Sequence, residues 1–150
     1  MSHSDKHQYE SVVDVASERI AGVRFRIERM SFSRRLELVR ELQGLVARMD
    51  FLQAGPQTPE QQAEAALVSG EIDRAYVRWG LRGVEGLEID GQSATSESLL
   101  DKGPEDLVHE AIGFIRRQAG LTEDERKNSA SPSTSSAATR PDGSATTVGG

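Results

Sequence analysis

Apolar positions along this chain first alternate, then recur at helical spacing, then fade out. Val12, Val13 and Val15 form a β-branched cluster. Beyond it, Val23, Phe25 and Ile27 alternate with Arg24, Arg26 and Glu28, the period of a strand with one apolar and one charged face. Ile20-Ala21-Gly22-Val23 reads as the turn between them, so residues 12–30 predict a β-hairpin. An isolated hairpin is marginal in water, so its apolar face must pack on helices or on a partner.

From Ser33 the period changes. Ser33 can cap a helix running to about Gln53, with Glu37 in its first turns, where the helix dipole favours an acid. Leu38, Leu42, Leu45, Met49 and Leu52 recur at steps of four and three, and Val39 and Val46 widen the stripe. Gly44 interrupts it, at about 1 kcal/mol relative to Ala in an exposed helix, unless another backbone approaches there. Gly55-Pro56 ends the element. Thr58-Pro59-Glu60-Gln61 opens the next helix, with a Thr cap, Pro at the first helical position and Gln placed to close a capping box. Val68, Ile72, Ala75, Tyr76 and Trp79 form its apolar face, and Gly80 is expected to stop it. The short linker predicts antiparallel neighbours.

Between Gly83 and Gly91, Leu87 and Ile89 share one face of a short strand that runs into the turn dipeptide Asp90-Gly91. Thr95 caps a short helix through Leu100, ended by Gly103. Pro104 opens the closing helix, with Glu105 and Asp106 in its first turn. Its apolar face is Leu107, Val108, Ala111, Ile112, Phe114 and Ile115; Arg116 and Arg117 sit near its end, and Gly120 is placed as a left-handed cap. Thr122-Glu123-Asp124-Glu125 is a second capping box, for a short charged helix fraying by Asn128. Residues 129–150 are almost wholly Ser, Ala, Thr, Gly and Pro and bury too little apolar surface to offset chain entropy. The expected architecture is therefore α+β, mostly helical: an N-terminal β-hairpin followed by three to four helices. It forms a single domain over residues 11–128, between a disordered N-terminus (1–10) and a disordered C-terminal tail (129–150).

Composition narrows the function. The chain has no cysteine, which excludes disulfides, cysteine-ligated zinc and thiol catalysis. Residues 1–10 hold no apolar signal core, and no run approaches the roughly 18 apolar residues of a membrane span. A cytosolic protein is expected. The net charge of −6 is uneven: residues 19–56 carry eight arginines against four acids, and residues 57–128 carry eight basic against fifteen acidic residues. An acidic chain with 5% aromatics is poorly suited to general nucleic-acid binding, but its opposed halves can attract one another within or between chains.

No catalytic constellation stands out. His3 and His7 lie in the polar N-terminus, and His109 lies opposite the apolar stripe of its helix. There is no nucleophile elbow and no phosphate-binding loop; Gly80, Gly83 and Gly86 follow a helix, where a dinucleotide loop would lead from a strand into one. Glu85, Glu88, Asp90 and the Glu123-Asp124-Glu125 run read as solvated acids, without the alternating ligands of a calcium loop. No catalytic residue, metal ligand or cofactor is implied. Two features can serve partners. One is the arginine set Arg24, Arg26, Arg29, Arg34 and Arg35, facing an acidic partner, RNA, or this chain's own acidic half. The other is Tyr76, Arg78 and Trp79 at the end of the second helix, residue types enriched in interface hot spots but equally at home in a core.

The stretch Tyr76-Val77-Arg78-Trp79-Gly80-Leu81-Arg82-Gly83-Val84-Glu85-Gly86 is followed by Leu87-Glu88-Ile89-Asp90-Gly91, Thr95-Ser96-Glu97-Ser98-Leu99-Leu100 and Gly103-Pro104-Glu105-Asp106-Leu107. Together these resemble the C-terminal half of the small tail assembly chaperones of long-tailed bacteriophages and prophages. Glu125-Arg126-Lys127-Asn128-Ser129 and the low-complexity tail fit the same pattern, as does Ser31-Phe32-Ser33-Arg34-Arg35-Leu36-Glu37-Leu38 after the N-terminal strand. Ser96 departs from it, standing where that family commonly has Pro. The resemblance spans about residues 18–131. It implies a non-enzymatic role in the host cytoplasm, binding the tape-measure protein, helping to recruit tail-tube subunits and staying out of the mature virion; many of the family also make a frameshifted longer form. A helical holder can cover the apolar stripes of a long helical client by helix-in-groove packing. The stripe of residues 36–52 is a candidate for that surface, although it reads first as the chain's own core. The alternatives are a small nucleic-acid-binding or regulatory protein using the arginine strand, or a structural virion or connector component. Salt-sensitive nucleic-acid binding would mark the first and presence in purified particles the second.

Overall fold

A computed structural model describes residues 5–120. Residues 5–10 are exposed and carry no helix or strand. The second capping box, the 129–150 tail, the C-terminal boundary at 128 and His3 lie outside the described residues.

The hairpin forms as the alternation predicts. β1 (Val12–Ala16) pairs antiparallel with β2 (Arg24–Glu28), Val12 opposite Glu28 and Ala16 opposite Arg24. The turn closes through Val23 N donating to Ile20 O, with Gly22 at φ +89°. Val23, Phe25 and Ile27 are buried, whereas Arg24 and Arg26 face out. Glu28 keeps the charged face as expected, but it is covered there: only 9% of it is exposed.

α1 (Phe32–Ala54) and α2 (Pro59–Gly80) form the antiparallel pair. Arg48 meets Glu64 near the connection and Arg34 meets Trp79 at the far end, an order only antiparallel helices allow. Ser31, rather than Ser33, caps α1, its hydroxyl accepting from Arg34 N at 3.3 Å. The earlier start brings Arg34 into the first turn, within reach of Glu28 and Trp79. Glu37 moves into the second turn, where it pairs with Arg34 at 3.4 Å instead of meeting the helix dipole. Thr58 caps α2 by accepting from Gln61 N, but Gln61 Oε1 is buried without a partner, so only half of the expected capping box forms.

Gly80 ends α2 as expected, as its last helical residue, but the chain then passes without a loop into β3 (Leu81–Glu85), which pairs antiparallel with β2. The sheet therefore has three strands in the order β1-β2-β3, one more than the hairpin expected from sequence. A bulge opposite Arg26 and Ile27 makes Arg82 the extra residue of β3. β4 (Glu88–Ile89) and β5 (Gln92–Ser93) form a small hairpin. Its turn is Asp90-Gly91 at φ 54° and 77°, positive at both central residues as a two-residue hairpin turn prefers.

α3 (Ser96–Lys102) has a complete capping box between Thr95 and Ser98. α4 (Glu105–Ala119) ends at Gly120 in the left-handed region, as expected. One core joins the inner face of the sheet to all four helices, and Phe25 meets Phe114 with ring centroids 6.0 Å apart. Leu38, Leu42, Val46 and Leu52 lie in that core, so the 36–52 stripe is structural. Glu110 ties α4 to the β1–β2 turn, accepting from the Ser17 hydroxyl at 2.7 Å and from Glu18 N at 2.6 Å.

Two helical glycines have opposite roles. A Cβ at Gly80 would lie 2.6 Å from Ile115 Cγ2, a stiff, fully buried side chain, whereas a Cβ at Gly44 would meet nothing within 4 Å. Gly80→Ala should therefore destabilise the protein by about 1–3 kcal/mol, and Gly44→Ala should stabilise it by up to about 1 kcal/mol. Urea unfolding midpoints check both; equal shifts of the same sign would contradict the packing described.

Candidate functional site

The α2–β3 junction builds the most distinctive polar site. Arg34 and Trp79 bridge α1 and α2 reciprocally: the Trp79 indole N–H donates to the Arg34 carbonyl at 3.0 Å, and Arg34 Nη2 donates to the Trp79 carbonyl. Carbonyls in the last turn of a helix lack intrahelical donors, so Arg34 acts as a cap on α2, with its charge at the favourable end of the dipole. The guanidinium also lies over the indole face, 4.9 Å from the ring centroid.

Glu28 supplies the opposite charge. Its carboxylate, 11% exposed, lies 3.7 Å from Arg34 Nε and 3.0 Å from Arg82 Nε. Burial of a carboxylate is tolerable only with such partners. The β-bulge re-aims Arg82 to provide one of them.

Outside this centre opens a cleft of about 550 Å3. Arg26, Arg34, Arg78 and Arg82 line it, together with Trp79, Val12, Leu81 and Ser96. Their carboxylate partners do not: Arg26 meets Asp14 at 3.4 Å and Arg78 meets Glu97 at 3.3 Å, both outside the lining.

The residues singled out from sequence thus divide. Arg26, Arg34, Arg78 and Trp79 converge on the cleft. Arg24 stands exposed on the outer sheet face beside it, and Arg35 is half-buried on α1; neither lines it. Arg29 lies over the Tyr9 ring at 5.7 Å. Tyr76 is a core residue, 2% exposed and covered by Arg116 at 4.6 Å from its centroid, so it does not join Trp79 at the cleft. Arg82 and Glu28 were missed. The four-residue step from Arg78 to Arg82 crosses a helix–strand junction, where helical spacing has no meaning, and Glu28 carries the alternation of an exposed position. Gly80, directly after the last apolar position of the helix, is the one available hint of such a junction.

Four large apolar side chains stand exposed on the two long helices: Phe32, Leu36 and Phe51 on α1 and Leu67 on α2, 81%, 50%, 68% and 71% exposed, with Phe32 and Leu36 near the start of α1 and Phe51 near its end. His109 is exposed and pairs with Glu105 at 3.5 Å, the solvated position expected of it.

Arg34→Ala should cost about 2–3 kcal/mol, because it leaves buried Glu28 with one cation and uncaps the Trp79 carbonyl. Arg34→Lys should recover only part of that, since an ammonium cannot reproduce the fork. Urea unfolding followed by Trp79 fluorescence checks the order; an Arg34→Ala variant as stable as the parent would remove this contact from the account. Compared with known proteins, the chain matches no family model, no curated protein and no solved structure, so the cleft and the exposed apolar side chains stand on their own chemistry.

Proposed function

We propose that this protein is a non-enzymatic tail assembly chaperone of a long-tailed bacteriophage or prophage. It binds the tape-measure protein in the host cytoplasm, helps to recruit tail-tube subunits and is left out of the mature virion. The observation that carries the reading is the set Phe32, Leu36, Phe51 and Leu67, large apolar side chains displayed on one helical hairpin while the remaining apolar stripes fill the core. Large apolar side chains held in solvent on two rigid helices are available as anchors for a partner. A helical client with its own exposed stripes is the complementary surface. The motif resemblance around Trp79 supports the same reading. Among the described residues no helix is long and apolar enough to cross a membrane.

Co-expression with a tape-measure protein, sought as a long helical chain encoded beside this one, tests this. The client should become soluble and co-purify with the parent chain. Phe51→Asp combined with Leu67→Asp should reduce the recovered complex at least about tenfold while changing stability by no more than about 0.5 kcal/mol per site, since both positions are exposed. A client that remains insoluble while this protein elutes alone would end the tape-measure assignment.

A further inference from the structure

The arginine cleft has donors to spare. Arg26, Arg78 and Arg82 each meet a carboxylate through Nε, and among the described residues their Nη groups donate no hydrogen bond. A guanidinium offers five N–H donors in a fixed fork, so each retains most of its capacity for an incoming oxyanion. The Arg26–Asp14 and Arg78–Glu97 pairs are half-exposed, and such pairs hold their partners weakly. Arg24, two positions from Arg26 on the same sheet face, has no ion pair among the described residues.

We infer that this cleft is a binding site for a short acidic segment of a partner protein, with one or two Asp or Glu carboxylates seated among Arg26, Arg78 and Arg82 and their stems against Val12. The charge pattern selects this class of ligand. The lining carries only positive charge, which favours carboxylate entry. The surroundings do not extend that field: Asp14, Glu37 and Glu97 stand just behind the arginines, and the chain as a whole carries −6. A long polyanion would be attracted over the cleft and repelled beyond it, whereas a peptide carrying a few carboxylates ends where the repulsion begins. The bulge at Arg82 and the Glu28 centre hold the floor of the cleft, so the outer guanidinium groups exchange partners without unfolding it. This site is distinct from the exposed apolar side chains of α1 and α2 and does not depend on the identity of the client.

Trp79, the only tryptophan of the chain, is buried in the cleft wall under the Arg34 guanidinium, so its fluorescence reports occupancy through that contact. The full chain is titrated at low ionic strength with tetraglutamate, with tetralysine and with a single-stranded oligonucleotide. Tetraglutamate should give a saturable change that weakens as salt is added, and tetralysine none. Arg26→Gln combined with Arg78→Gln, both at half-exposed positions, should weaken tetraglutamate binding by about tenfold or more with an unchanged circular dichroism spectrum. No saturable change with tetraglutamate would overturn the inference, as would undiminished affinity in the folded double variant or tighter binding of the oligonucleotide than of tetraglutamate.

Discussion

One buried carboxylate organises this fold. Glu28 ends β2 where the sheet meets the helices, and it needs cations that its own strand does not supply. Arg34 comes from the first turn of α1, the next element along the chain, and Arg82 from the bulge in the remote β3, so three elements converge on one charge. Removing water from a carboxylate is costly, and only the docked arrangement of all three elements offsets that cost. The Arg34–Trp79 bridge adds α2 to the same point. Apolar packing would tolerate small slips among these elements; a paired buried charge tolerates far fewer.

Much of the fold was legible because period and punctuation agree. The β1–β2 hairpin, both long helices, the short helix after Thr95 and the left-handed end at Gly120 each combine a clean repeat with a cap or turn residue. The failures share a different cause. β3 spans Leu81-Arg82-Gly83-Val84-Glu85, where a bulge breaks the alternation and glycine dilutes the propensity, so no period exists to be read. Gly86 looked like part of a glycine-rich loop, yet it serves a close approach at φ +80°, where a Cβ would lie 2.0 Å from Gly22 O. Glu28 lies on the face the strand pattern assigns, but that pattern cannot foresee the cations from other elements that cover it. The candidate site was legible in part for the same reason. The arginines were visible as a set, but which of them share a cleft depends on the helix-to-strand junction and the bulge, both tertiary facts.

The result is a small scaffold with two chemically different surfaces. The helical hairpin displays Phe32, Leu36, Phe51 and Leu67, while the cleft at the α2–β3 junction presents guanidinium groups beside a single indole. An apolar face supplies affinity with little directional content; bidentate donors supply register. The shared core, which includes Phe25 and Ile115, holds both on regular elements rather than on loops, which keeps their relative placement fixed.

The sheet also dictates an order of events. β2 and β3 are neighbours in space, but the entire α1–α2 hairpin lies between them in the chain. β1 and β2 can pair as soon as they leave the ribosome, yet the third strand cannot arrive until both long helices have been made and folded back on each other. Closing so long a loop costs entropy that the β2–β3 ladder repays only at the end. Until then β2 keeps an unpaired edge and a buried-type glutamate without its cations. The nascent chain therefore passes through a stage in which its own strand edge is open to wrong partners, and rapid collapse of the helical hairpin is what shortens that exposure.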